Sequence, residues 1–314
     1  MKSIHLIAPS GASPDPRNPM AGVEWLEQQS IAIGNRQCIE RVDQRFAGSD
    51  AERLNELNAL VQLPSDTVVM AMRGGYGLHR LLPGIDWVGL ARAIENGLQI
   101  CGHSDFTTFQ LALLAKTGAV SLSGPMLNYD FGRITEDGDS IPPDAFMWQH
   151  FQEAVDGRVL DVSVASPQAL LGKHLKAGVT GLLWGGNLTV LASLIGTPYQ
   201  PHQDQVAGGI LFLEDVNEHP YRIERMLMQL LDAGILESQA AILLGGFSAY
   251  RLYDSDRGYN LEAALACIRQ RLPDAIPLMM GLPFGHQVDK LTLPVGATAS
   301  MAYDINGFSL SARW

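Results

Sequence analysis

Cysteine is scarce in this chain. Cys38, Cys101 and Cys267 are far apart and form no C-x-x-C pair. An odd, scattered set excludes a disulfide framework and fits a reducing compartment. No H-x-x-x-H or EF-hand spacing occurs either, so neither a metal site nor a cofactor is expected. Basic residues are also few. Lys and Arg number 22 against 33 Asp and Glu, a net charge of −11, and there is no basic stripe of the kind a nucleic-acid binder needs. An apolar run of membrane-spanning length is missing too. Residues 177–203 carry no charge, but "WGGN" and "GTPYQPH" interrupt them, so no membrane partner is expected. The opening "MKSIHLIAPSG" has too short an apolar stretch for a signal peptide and reads as a first strand. These absences together predict a cytoplasmic protein.

What the chain does have is the make-up of a globular protein, with 46% hydrophobic and 18% charged residues. A length of 314 residues favours two domains. The first half alternates strand-like and helix-like segments: "SIHLIAP", then a helix over "AGVEWLEQQSIAI", then "SDAERLNELNALVQL" with a capping-box spacing at Ser49 and Glu52. "DTVVMAM", "LQIC" and "GAVSLSGP" read as buried strands around a helix over 106–116. This is an α/β pattern, a mainly parallel sheet with helices on both faces. The polar "RITEDGDSIPPDAF" marks a change, and the tail "LTLPVGATASMAYDINGFSLSARW" reads as antiparallel strands. The boundary falls within 155–170, giving domains 1–165 and 166–314.

Ligands of such sheets sit at the carboxyl ends of the strands, where "MRGGYG" and "CGHSDF" both lie. In the second, a strand, a turn and a helix compress Gly102, His103, Ser104 and Asp105 together. Ser104 would stand over a helix N-terminus whose unpaired N–H groups, that of Asp105 first, can stabilise an oxyanion. The pattern is near G-x-S-x-G, with Phe106 in place of the second glycine. Ser and Asp are also ordinary helix caps, so this stretch alone leaves both readings open. The glycines of "RGGYG" permit a close backbone approach to a ligand, or an ordinary turn. In "ILFLEDVNEHPYRIERML" a carboxylate ends a buried strand, and spacing does not choose between Glu214 and Asp215. His286, in the Gly/Pro loop "GLPFGHQVDK", best combines a turn with a preceding strand. Ser104, an acid and His286 then follow the chain order of a Ser-His-acid hydrolase.

Eight ordered blocks carry a resemblance: "HLIAPSG", "RFAGSDAERLNELN", "MRGGYGLHRLL", "ICGHSDFT", "LSGPML", "LWGGNLTVLASLIGTP", "LEDVNEHPYRIERML" and "FGHQVDKLTLPVGA". The chain resembles the LD-carboxypeptidase family of serine peptidases. That resemblance implies a flavodoxin-like N-terminal domain, a mostly β C-terminal domain, a homodimer and a metal-free triad. The triad would be Ser104 as nucleophile, His286 as base and Glu214 as orienting acid. The oxyanion donors would be the N–H groups of Asp105 and Gly75, the latter chosen over Gly74. The implied reaction releases the terminal D-alanine of cytoplasmic murein tetrapeptides, free or linked to UDP-MurNAc or anhydro-muropeptide, in cell-wall recycling. Arg73 suits the substrate's terminal carboxylate, which a guanidinium can hold in bidentate fashion. Three alternatives stand beside this. A family member could cleave peptidyl-nucleotide conjugates, for which Trp184 could stack a base, although it reads better as cleft wall. The chain could be a muropeptide sensor without turnover. It could also be a flavodoxin-like protein that binds phosphate at "RGGYG".

Overall fold

A computed structural model describes residues 1–165 and 177–314. The first half folds as β1 (Ser3–Ile7), α1 (Arg17–Gln28), β2 (Ala32–Gly34), α2 (Asp50–Ala59), β3 (Val68–Ala71), α3 (Trp87–Glu95), β4 (Gln99–Gly102), α4 (Thr107–Thr117) and β5 (Ser121–Ser123). All four residues of β3 are buried, as a strand covered on both faces requires. The Ser49–Glu52 spacing forms a true capping box, with the Glu52 N–H on Ser49 Oγ and the Ser49 N–H on the Glu52 carboxylate. The helix expected over 21–33 starts earlier and stops at Gln28. Ser30 takes a left-handed φ of 62°, which breaks the helix and turns residues 32–34 into β2.

A short hairpin, β6 (Arg133–Ile134) with β7 (Ser140–Ile141), leads to α5 (Ala145–Gly157) and β8 (Val159–Ala165). The chain is described again from β9 (Ala177–Asn187), followed by α6 (Leu188–Leu194), α7 (Gln203–Val206), β10 (Ile210–Val216), α8 (Pro220–Asp232), β11 (Ala241–Ser248), α9 (Leu261–Arg271) and β12 (Leu278–Met280). Pro220 opens α8 and Gly234, at φ 72°, follows its end, which is the usual placement of the two residues. The chain finishes with β13 (Leu293–Val295), β14 (Thr298–Asp304) and β15 (Gly307–Arg313).

Among the described residues, two large sheets result. The first runs β13-β5-β4-β3-β1-β2 and is parallel except for β13, which pairs antiparallel with β5. Its order reverses between β1 and β3, the switch point where doubly wound sheets bind ligands. The second runs β12-β11-β10-β9-β14-β15-β8. Its β9-to-β12 side is parallel, and β14, β15 and β8 add an antiparallel, curled half. The fold is therefore α/β with a flavodoxin-like parallel sheet first and a mostly β C-terminal part, the class expected from the sequence.

Strands cross between the halves. β8 comes before the 165/166 boundary and closes the second sheet, while β13 comes from the tail and edges the first. The rest of the tail, β14 and β15, is the expected antiparallel pair. Residues 166–176, which the 155–170 boundary window overlaps, lie outside the described residues. One apolar core runs from Val69 and Ile100 through Phe106 and Phe109 to Trp184, Phe212 and Phe284. That shared core fixes the two sheets against each other, with the ends of β3, β4 and β10 facing one cleft.

Candidate active site

The site starts from the end of β4. His103 is extended, and Ser104 then takes φ 63°. A non-glycine residue in that region is strained by roughly 1–2 kcal/mol. The turn lifts the Ser104 side chain off the sheet and leads through a single 3₁₀ turn into α4. Gly74, at the end of β3, faces it. A Cβ there would lie 2.7 Å from both Cβ and Oγ of Ser104 and 3.2 Å from the Asp105 nitrogen. Only glycine leaves room for the serine to turn toward the cleft. Gly75 is exposed at φ 110°.

The second sheet delivers the other two groups. Glu214 is fully buried near the end of β10. The β10–β11 pairing slips there: Leu213 faces Leu244, but Asp215 faces Phe247. Two glycines, Gly245 and Gly246, thus oppose one glutamate, a bulge that re-aims a side chain beside a functional site. His286 follows Gly285, whose φ of 131° and missing side chain let the loop pass over Glu214; a Cβ would come within 3.2 Å of its carboxylate. His286 Nδ1 lies 2.7 Å from Glu214 Oε2, and His286 Nε2 lies 3.0 Å from Ser104 Oγ. The carboxylate can only accept, so Nδ1 carries the hydrogen and Nε2 offers its lone pair to the serine hydroxyl. The structure brings Ser104, His286 and Glu214 into one hydrogen-bonded series, and it gives Asp215 other work.

Asp215 points toward α6, accepting from the Thr189 N–H at 2.9 Å and the Thr189 hydroxyl at 2.8 Å. Burial, the largest influence, raises its pKa, and the neighbouring Glu214 adds to the rise. Asn187 connects the pair, its amide lying 3.1 Å from Glu214 Oε1 and 3.0 Å from Asp215 Oδ1. The Asn187 N–H also donates to Thr107 Oγ1 at 3.1 Å, tying β9 to the first residue of α4. The sequence assigns Asn187 no role of its own, although an Asn before "LTVLASL" is a helix-cap signal.

The sequence offers Asp105 as an N–H donor or a helix cap. Its carboxylate also accepts from Ser10 Oγ at 2.7 Å and the Leu78 N–H at 3.2 Å, which ties the loops after β1 and β3 to the serine turn. Burial raises its pKa, and the two hydrogen bonds partly offset that. Arg73 donates to Ala12 O at 2.5 Å and lies 6.0 Å over the Tyr129 ring. Its buried Nε has no partner among the described residues. Trp184 neither lines the cleft nor could stack a base. It is fully buried in the core, and its indole N–H donates to Gln239 at 2.9 Å.

Ser104 and His286 open on a cleft of about 590 Å³, walled also by Arg73, Tyr129, Arg133 and Lys290. A smaller hollow of about 290 Å³, near Gln99 and Trp314, lies at the opposite end of the strands and holds none of these groups. No helix of the described residues is long and apolar enough to cross a membrane.

The chain matches the family models for the LD-carboxypeptidase N-terminal domain over residues 4–124 and the LD-carboxypeptidase C-terminal domain over residues 180–301. It belongs to the LD-carboxypeptidase family. A crystal structure of muramoyltetrapeptide carboxypeptidase from Oxalobacter formigenes is 41% identical, with a TM-score of 0.86, over 100% of this chain and 99% of that one. The murein tetrapeptide carboxypeptidase of Pseudomonas aeruginosa is 32% identical over 94% of this chain and 92% of its own length. A probable murein peptide carboxypeptidase of Bacillus subtilis is 30% identical over 95% and 88%. Family membership makes the chain a serine-type carboxypeptidase and gives the cleft a chemistry.

Proposed function

We propose that the protein releases the terminal D-alanine of cytoplasmic murein tetrapeptides, cutting the amide between diaminopimelate and D-alanine through an acyl-enzyme on Ser104. The observation that carries this reading is the unbroken series Ser104 Oγ, His286 Nε2, His286 Nδ1 and Glu214 Oε2, at 3.0 and 2.7 Å. Ser104 Oγ attacks the amide carbonyl while its proton passes to His286 Nε2. Glu214 holds the tautomer and stabilises the imidazolium. The N–H groups of Asp105 and Gly75 receive the oxyanion, each contributing about 3–4 kcal/mol to the transition state. As the intermediate collapses, His286 returns the proton to the leaving D-alanine nitrogen. Water, activated by the same imidazole, then cleaves the ester.

Arg73 pairs with the D-alanine carboxylate in this reading, a role its unpartnered Nε suits. Residues 1–165 supply the nucleophile, and residues 166–314 supply acid and base. The protein works as a homodimer in cell-wall recycling and accepts free, UDP-MurNAc-linked and anhydro-muropeptide forms. The buried position of Trp184 gives the peptidyl-nucleotide alternative no stacking surface at that residue. The test is D-alanine release from free and UDP-linked tetrapeptide, followed by mass spectrometry with a chelator control. Release that survives the chelator and disappears in Ser104→Ala is expected. No release by folded protein that binds the peptide would overturn the reading in favour of a sensor.

A further inference from the structure

We propose that Asp130, Lys290 and His103 form a positioning relay behind the His286 imidazole, and that their balanced charge sets the field His286 meets as it takes the serine proton. The three are 5%, 2% and 3% exposed. The His103 ring stands edge-on to that of His286, with centroids 5.2 Å apart and planes at 71°. His103 Nδ1 lies 2.9 Å from Gly124 O. A carbonyl only accepts, so Nδ1 carries the hydrogen and Nε2 presents a lone pair. That lone pair meets Lys290 Nζ at 3.3 Å, and the same ammonium lies 2.7 Å from Asp130 Oδ1. The other Asp130 oxygen accepts from the Met126 N–H at 2.7 Å, fixing the carboxylate on the π-helical turn Leu127–Phe131. His103 is thereby held as one neutral tautomer. Burial first, then Lys290 and His286, keep its pKa well below the ordinary histidine value.

Glu214 meets His286 from β10, and Ser104 and His103 meet it from the turn after β4; Lys290, on the His286 loop, and Asp130, on the π-helical turn, stand behind His103. Arg73 and Arg133 line the same cleft, while Asp215 is directed to α6. Asp130 and Lys290 cancel, so Glu214 remains the anion that supports the imidazolium. For shape alone, a buried ion pair is replaceable by apolar side chains at no loss of stability. Its place one ring away from His286 is what gives its charges a use.

The inference rests on His286 serving as base, and the experiment separates the two claims. The imidazole titration of His286 is followed by NMR, and the acid limb of kcat/KM is followed alongside. Asp130→Asn leaves the ammonium unopposed and moves both to lower pH, by about one unit for a lone buried charge nearby. Lys290→Met leaves the carboxylate unopposed and moves both up by about as much. Asp130→Asn/Lys290→Met restores the parent profile. Opposite shifts with a restored double variant support the relay. Coincident profiles, or shifts of one sign, overturn it, because lost packing alone has no reason to change sign with charge. If one single variant fails to fold, the sign of the shift in the other decides. A parent that releases no D-alanine but shows opposite NMR shifts would remove the peptidase reading and leave the relay standing.

Discussion

The two sheets hold their reactive groups by opposite means. On the first, Ser104 stands past the strand end in a strained left-handed turn, half-buried, with Gly74 leaving it room. On the second, Glu214 lies inside a strand, fully buried, with both oxygens held by His286 and Asn187. In the proposed mechanism the nucleophile must reach a substrate, and the outward bend of the Ser104 backbone keeps that access. The acid of that mechanism must hold one position, which the enclosure of Glu214 and its two partners suit. His286 spans the two on a loop that crosses Glu214 at Gly285. The contrast teaches that strain and burial are divided between the sheets, and that each can be perturbed without the other.

The sharpest separation is at Ser104. Ser104→Ala should lower kcat by at least ~10⁴-fold, as loss of a triad nucleophile does. Ser104→Gly should be as inactive yet melt higher, because glycine relieves about 1 kcal/mol of left-handed strain. A Ser104→Gly protein that melts below the parent would contradict the strain argument. Next in size, Glu214→Gln should cost about 10³–10⁴-fold in kcat through the wrong imidazole tautomer, with KM little changed. A loss confined to KM would show that Glu214 serves binding instead. Gly74→Ala should follow at about 10²-fold, the range seen when oxyanion geometry is disturbed, because its methyl would sit 2.7 Å from Ser104 Oγ. Unchanged activity would mean that the two turns can separate freely.

The smallest effect concerns pH and stability. The Asp105 carboxyl is raised from its ordinary value, chiefly by burial. A folded value above the unfolded one means that the fold favours the protonated form. That stabilisation is complete below about pH 4 and is lost as the pH rises through the folded value. Asp105→Asn retains an acceptor for Ser10 and Leu78 and removes the titration. Its denaturation midpoint should therefore gain on the parent as the pH rises from 4 to 8. A gain on the acid side instead would reverse the assignment.

How much of this was legible in the sequence differs from element to element. The buried strand "DTVVMAM", the Ser49–Glu52 box and the strand-turn-helix around Ser104 are local patterns, and local patterns read well. Spacing alone does not tell Glu214 from Asp215, and only the resemblance chooses Glu214, because the physical choice depends on a bulge opposite Gly245 and Gly246 that belongs to the pairing of two strands. Likewise β13 reads as one of several tail strands, and only tertiary pairing sends it to the first sheet beside β5. Lys290 is a lone lysine before "LTLPV", and nothing local says that it meets His103 from a distance of 187 positions. Trp184 reads as cleft wall because it adjoins glycines, whereas alternation along β9 turns it into the core.

The central claim is that one serine is activated across the two sheets by His286. Labelling with a small fluorophosphonate, located by peptide mass spectrometry, tests it without assuming a substrate. The account predicts a single adduct, on Ser104, that disappears in His286→Ala while the fold persists. Labelling elsewhere, or labelling of Ser104 undiminished in His286→Ala, would contradict it.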